Sequence, residues 1–469
     1  MLSKLVLLIL LHVVQAACME NRLRIIHTNV IHSYYDQSNL SGKDCTAEQV
    51  ESKLCYGGLA RLKIAVDMLR AECKNNLVLD AGDQFQGTLF YGYYRGNLTW
   101  DAMNLLSYDV MTIGNHEFDN GADNFARVAQ HFKFPLASSN IVATRHPTLS
   151  NLVKSYILFP DKKVALVGYV TPNLPAISHV GPLLDILDPA PALQDVIDLV
   201  RSLGYTNVIA LSHNGYNNDI ELVSKIHGLS LIVGGHSHSY LVPKGREVNY
   251  ALPSQGLYPT PVQDKNNRTT YIVQAYCWLR FVGNIDIEFG EDGYLTDISG
   301  APIDLDFNIA KDSSVDALVQ EWRIPFDAYS QSDIGKATEE FDRQTCYNRE
   351  CTLGDFLVDI MLDYCPNSDI AILNSGDIRY ASTRVKSLLG MCRIPSPTAL
   401  PLSPLTSLAK RSGILLRVLF QWRVSPMANM SRHSSKSPHY ISPIRQLIPI
   451  SPRLNQSKPE TRKHYSSPQ

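Results

Sequence analysis

Six short, β-rich apolar runs punctuate the first half of the chain, and most of them run directly into Gly, Asn, Asp or His. They are Leu23 to Thr28, Leu77 to Leu79, Val110 to Ile113, Val164 to Val170, Val208 to Leu211 and Leu229 to Val233. Helical patterns lie between some of them, such as Leu59 to Leu69 with Arg and Lys at its polar positions. Strands alternating with helices predict an α/β layered core. Polar residues clustered just past the strand ends predict a site at the carboxyl edge of the sheet, on loops held by a rigid scaffold.

With 469 residues, 45% of them hydrophobic and 19% charged, the chain can bury a sizeable core and is expected to form two domains. Its formal net charge of -2 gives no polyelectrolyte partner, so neither nucleic acid nor an anionic membrane is expected. Residues 1–16 carry Lys4, an apolar run from Leu5 to Leu11, and Val14 and Ala16 in the small-residue pattern that precedes a cleavage point. These features predict a secretory signal peptide and a secreted, extracellular protein. No later stretch reaches the roughly 20 apolar residues of a transmembrane segment.

Secretion makes the nine cysteines disulfide candidates, with one left over from the odd count. Cys346 and Cys351 are close enough to bridge a local loop. Asn39, Asn97 and Asn267 open glycosylation sequons.

The expected organisation after the leader is a first domain over 17–305 and a linker helix within 306–344. A second unit starts near Thr345, with a helix from Leu353 to Tyr364 and a strand from Ile370 to Leu373, and continues to about 382. From Thr383 onward there are 14 Lys and Arg against one acidic residue, Glu460, and eleven of the 26 prolines follow Gly390. Such text prevents a continuous sheet or helix, so 383–469 is expected to be disordered or foreign to the fold. A shifted frame or retained intron would produce it, and a basic interaction arm is the alternative.

Five clusters carry the chemistry: His27-Thr28-Asn29-Val30-Ile31-His32, Asp80-Ala81-Gly82-Asp83, Gly114-Asn115-His116-Glu117-Phe118-Asp119, Ser212-His213 and Gly235-His236-Ser237-His238. Any one alone is weak, because a lone His is more often structural. Together, at five strand ends, they supply the ligands of two divalent ions bridged by one carboxylate. A carboxylate offers an oxygen to each ion and offsets their repulsion, while imidazoles and an amide complete the shells without repelling a phosphate. Such a pair activates a water and holds phosphoryl oxygens for in-line attack.

In this order the clusters resemble the calcineurin-like metallophosphoesterase domain of the 5'-nucleotidase and apyrase family, which includes secreted arthropod apyrases. That family shows H-T-N-D-x-H, D-x-G-D, G-N-H-E-F-D, S-H and G-H-S-H. Gly57-Gly58-Leu59-Ala60-Arg61 and Gln274-Ala275-Tyr276 also match, so the resemblance covers residues 23 to about 290. It implies a four-layer α/β fold, a β-sandwich flanked by helices, with a second, incomplete α/β substrate-binding domain. It also implies two divalent metal ions, zinc first, with manganese or calcium as alternatives. Asp83 would bridge them, Asn115, His213 and His236 would complete one site, and His32 and His238 would serve the other. His116, paired with Asp119, would stabilise the transition state or protonate the leaving group.

Two departures stand out. Val30 occupies the place of the aspartate in H-T-N-D, and valine has no lone pair, so one metal site is expected to be short of a carboxylate. Asp36, six residues on, is a poor substitute. In the second unit, Asn374-Ser375-Gly376-Asp377-Ile378-Arg379 resembles the family's N-x-G-x-I-R, so Asn374 and Arg379 are the expected substrate contacts. Asp377 stands there where Gly is usual. The base-stacking aromatic pair has no counterpart in the tail.

The resemblance implies an extracellular nucleotide phosphohydrolase acting on AMP, or on ADP and ATP. A non-catalytic metal or nucleotide binder is the alternative, and a cyclic or sugar nucleotide is a third possible substrate. The final residues, Arg462 to Gln469, lack the hydrophobic tail of a lipid-anchor signal, so a soluble form is expected.

Overall fold

The computed structural model describes residues 22–245, 252–330, 342, 344–347, 349–364 and 370–373. The leader, Asn374, Arg379 and the tail 383–469 lie outside the described residues.

Two sheets form the centre. The first holds β1 (Leu23–Thr28), β2 (Asn76–Asp80), β3 (Val110–Thr112), β4 (Leu136–Ala137) and β5 (Val153–Lys154), all parallel neighbours in that order. The second is built on β6 (Tyr156–Phe159), β7 (Val164–Val170), β8 (Asn207–His213), β9 (Leu231–Gly234), β10 (Thr260–Gln263) and β11 (Thr269–Val273), in the order β10-β11-β9-β8-β7-β6. Its four central strands are parallel and its two edges antiparallel. β12 (Phe281–Phe289) then returns to the first sheet, antiparallel beside β1, followed by β13 (Leu295–Gly300).

Alternation along the strands explains the layering. Ile25, Leu77 and Leu79 join the residues of β7 and β8 in one cluster between the sheets. Their neighbours Ile26 and Val78 turn the other way, onto Leu62, Ala65, Val66 and Leu69 of α1 (Leu59–Glu72). The opposite sheet is covered by α2 (Pro189–Ser202) through Leu193, Ile197 and Val200. A strand apolar on both faces can only be satisfied by cover on both, which yields helix, sheet, sheet, helix. This is the four-layer α/β arrangement expected from the sequence.

The sheets approach closely at Gly168. A Cβ there would lie 2.1 Å from the Ala137 carbonyl oxygen, and Ser139 donates to the Gly168 carbonyl from its N–H (2.6 Å) and its hydroxyl (2.8 Å). Gly168→Ala must therefore push backbone apart, and it is expected to lower stability by about 1–3 kcal/mol, read from urea unfolding midpoints.

The linker helix α3 spans Ser313–Ser330. It starts there because the Asp312 carboxylate accepts from the N–H groups of Ser314 and Val315, both at 3.0 Å. Val315, Val319, Trp322 and Phe326 form one stripe and join the cluster around α1. Farther on, α4 (Thr352–Tyr364) follows the Cys346–Cys351 disulfide anticipated from spacing, and a second disulfide joins Cys45 and Cys55. Ile370–Leu373, expected as a strand, is not part of a ladder among the described residues. Ala371 and Leu373 are buried against Leu353, Leu357 and Val358, but no ladder partner stands beside them among the described residues.

Candidate metal centre

β1, β2 and β3 run parallel in one sheet and β8 and β9 run parallel in the other, so their carboxyl ends deliver five loops to one edge. Backbone bonds then lock the loops together. Val30 N–H donates to the Gly82 carbonyl (2.9 Å), His32 N–H to the Asp83 carbonyl (3.0 Å), and Trp278 N–H to the Val30 carbonyl (3.0 Å). Several site residues sit at positive φ, among them His32 (52°), Asp83 (61°), His236 (72°) and His238 (52°). Left-handed non-glycine residues of this kind concentrate where geometry serves a site.

The structure brings the six expected metal ligands together. Asp83 Oδ2 lies 3.0 Å from His213 Nε2 and 3.9 Å from His32 Nε2. Asn115 Oδ1 lies 2.8 Å from His236 Nδ1 and 3.2 Å from His213 Nε2, and His32 Nε2 is 3.1 Å from His238 Nε2. Among the described residues two sets have donor atoms all within 4.8 Å of one another: Asp83 with His213 and His236, and Asp83 with His32 and His116. Asp83 belongs to both, the position a bridging carboxylate needs.

The donor chemistry fits a cation. The Ala81 carbonyl faces His213 Nδ1 at 2.6 Å and the Phe85 carbonyl faces His32 Nδ1 at 3.0 Å. A carbonyl only accepts, so each Nδ1 carries a proton and Nε2 is the nitrogen that faces the cleft. At His213 the Asp83 charge and hydrogen bond outweigh burial and raise the ring, so an ion there would displace the Nε2 proton. Burial pushes His32 well below its ordinary range despite the Asp83 charge, which keeps that ring neutral. Two Nε2 atoms at 3.1 Å can share one proton at most. A divalent ion between them and Asp83 would satisfy all three.

Val30 bears on the other expected site, Asp83 with His32 and His238, where the resemblance calls for an aspartate at position 30. Its side chain is fully buried and its φ is 55°, a region in which a β-branched residue is a true outlier. An aspartate tolerates that backbone far better and would supply an oxygen. Asp36 does not replace it: its Oδ2 pairs with Arg323 (3.1 Å) and Gln320 (3.2 Å) on α3. Asn115, His213 and His236 therefore retain every side-chain type that the resemblance calls for, whereas position 30 offers no oxygen beside His32 and His238.

His116 Nδ1 lies 2.7 Å from Asp119 Oδ2, as expected for the dyad. Burial would lower His116, but the Asp83 charge and the Asp119 hydrogen bond outweigh it and raise the ring to about 9. Ser178 donates to Asp119 Oδ1 at 3.3 Å. Sequence reasoning missed Ser178, since no motif surrounds it. It also missed the structural work of Asn29, which accepts from Ala275 N–H (2.9 Å) and donates to the Tyr276 carbonyl (2.6 Å).

This geometry accords with the comparisons. Residues 23–240 match the calcineurin-like phosphoesterase family, and residues 333–400 match the 5'-nucleotidase C-terminal domain. A snake venom 5'-nucleotidase of Naja atra is 32% identical over 424 residues, covering 86% of this chain and 78% of its own. The chain belongs to the 5'-nucleotidase family. The human 5'-nucleotidase is 36% identical over 374 residues, covering 76% of this chain, and the chain spans 64% of that relative's length. Among solved structures of the family, a 5'-nucleotidase precursor from Thermus thermophilus superposes with a TM-score of 0.67 at 30% identity, covering 79% of this chain and 73% of its own. As a 5'-nucleotidase family member the chain pairs a metallophosphoesterase domain with a C-terminal domain. The C-terminal match runs to residue 400, past the point where the basic tail begins. No helix among the described residues is long and apolar enough to cross a membrane.

Proposed function

We propose that this protein is an extracellular nucleotide phosphohydrolase, a 5'-nucleotidase or apyrase releasing phosphate from AMP or from ADP and ATP. The observation that carries the reading is Asp83, shared by a donor set with His213 and His236 and another with His32 and His116, the last of which also pairs with Asp119. Two divalent ions, zinc first and manganese or calcium otherwise, would be held by Asp83, Asn115, His213 and His236 on one side and by Asp83, His32 and His238 on the other. When bound, they supply the positive charge that activates water and neutralises the phosphoryl oxygens.

The chain's own groups do the rest. Asp119 holds His116 through Nδ1, so Nε2 is the nitrogen that gives a proton to the leaving oxygen or pairs with the phosphoryl group. Asn374 and Arg379 contact the substrate from the second unit, whose boundaries at 345–382 belong to this proposal together with the leader at 1–16, the catalytic domain at 17–305 and the linker at 306–344. Venom relatives such as that of Naja atra support the secreted reading.

Phosphate release from AMP, ADP and ATP, with zinc, manganese or calcium added to chelator-treated protein, tests the assignment. Metal-dependent release from at least one nucleotide, abolished by chelator, is the expected outcome. Val30 favours a second reading, a non-catalytic metal or nucleotide binder, and metal uptake without release from any of the three would establish it.

A further inference from the structure

The Glu117 side chain is fully buried on a single helical turn, His116–Phe118, between the dyad residues and next to Asn115. It accepts four main-chain N–H bonds: from Asp83 (2.9 Å) and Gly114 (2.6 Å) on Oε2, and from Gln84 (2.7 Å) and Phe85 (3.3 Å) on Oε1. Three of these donors belong to the loop after β2 that carries Asp83. The fourth belongs to the loop after β3 that carries Asn115.

A buried carboxylate without partners would be strongly destabilising, and four N–H dipoles offset that. Their arrangement also matters. The two loops touch so closely that a Cβ on Gly114 would meet Asp83 Oδ1 at 2.3 Å and Glu117 Oε2 at 2.8 Å. Asp83 sits at φ 61°, and its Oδ1 accepts from His116 N–H at 2.9 Å. One carboxylate thus ties the backbone of Asp83 to that of Gly114, the residue just before Asn115, with no ion involved.

We propose that Glu117 is a positioning residue of the metal centre: by gathering these N–H groups it sets the separation of Asp83 and Asn115 before any cation arrives. The inference rests on the metal-centre reading above. Glu117 acts through the backbone and does not touch the ion.

The test is calorimetric titration of chelator-treated full-length protein with manganese chloride alone. Glu117→Gln keeps the shape but turns an NH2 group toward N–H donors, so manganese affinity is expected to fall about 10–100-fold while the circular dichroism spectrum is retained. Should Glu117→Gln fail to fold, Glu117→Asp keeps the charge but withdraws it by one methylene, and the same direction of change is expected. Asp109 is the comparison: half-buried, it accepts from Val78 N–H (2.7 Å) at the opposite end of β3. Asp109→Asn is expected to lower the melting temperature and leave manganese affinity unchanged. Wild-type affinity in a folded Glu117 variant, or equal weakening in Asp109→Asn, overturns the proposal. A wild-type chain that takes up no manganese instead sinks the metal-centre reading on which it stands.

Discussion

Val30→Asp is expected to destabilise the metal-free protein and stabilise the metal-loaded one, reversing sign with the ion. Position 30 is fully buried beside the Asp83 loop, so an added carboxylate without a cation is a buried charge near another of the same sign. Relief of the valine at φ 55°, about 1–3 kcal/mol, only partly offsets this. With manganese or zinc present the carboxylate would add an oxygen to the proposed site of His32, His238 and Asp83. Affinity at that set is expected to rise at least about tenfold, the lower end of what even indirect partners of a metal contribute. Melting curves with chelator and with metal, together with binding stoichiometry, check the claim. The same substitution should raise phosphate release. An unchanged stoichiometry, with a melting temperature lowered under both conditions, would remove Val30 from any account of the site.

Asp83→Asn is expected to have the largest loss. Asp83 is common to both donor sets, it is buried, and nearby His213 and His116 hold its carboxyl well below the usual range against the opposing effect of burial. An amide keeps the shape and one oxygen but removes the charge that lies within reach of two cations. Metal contributions to phosphoryl transfer amount to several kcal/mol, so phosphate release in the Val30→Asp background should fall by at least about 10³-fold. Metal stoichiometry should fall with it. Retained activity at fixed metal concentration would mean that the ions, if bound, are held elsewhere.

Both expectations follow from how strand ends converge. Parallel strands share a direction, so every residue just past a carboxyl end arrives at the same edge. The order of clusters along the chain therefore translates into a spatial cluster without knowledge of side-chain rotamers. His32, Asp83, Asn115, His213, His236 and His238 were legible for that reason, as were most of the strands themselves. The His116–Asp119 pair was legible too, since three residues on one helical turn keep the two side chains within reach.

What the sequence alone determined is the inventory and its topology: an α/β core, five candidate ligand loops in family order, a valine at position 30 where the resemblance calls for an aspartate, and the local Cys346–Cys351 bridge. Only the tertiary structure decided how distant residues are used. Asp36 is committed to Arg323, 287 residues away, and so cannot serve the cleft. Glu117 spends its carboxylate on the backbone of another loop, and carbonyls at Ala81 and Phe85 orient His213 and His32 through Nδ1 so that Nε2 faces the cleft. The physical reason is range. Periodicity and motif spacing report bonds along the chain, whereas hydrogen bonds across it depend on which loops the two sheets bring within about 3 Å.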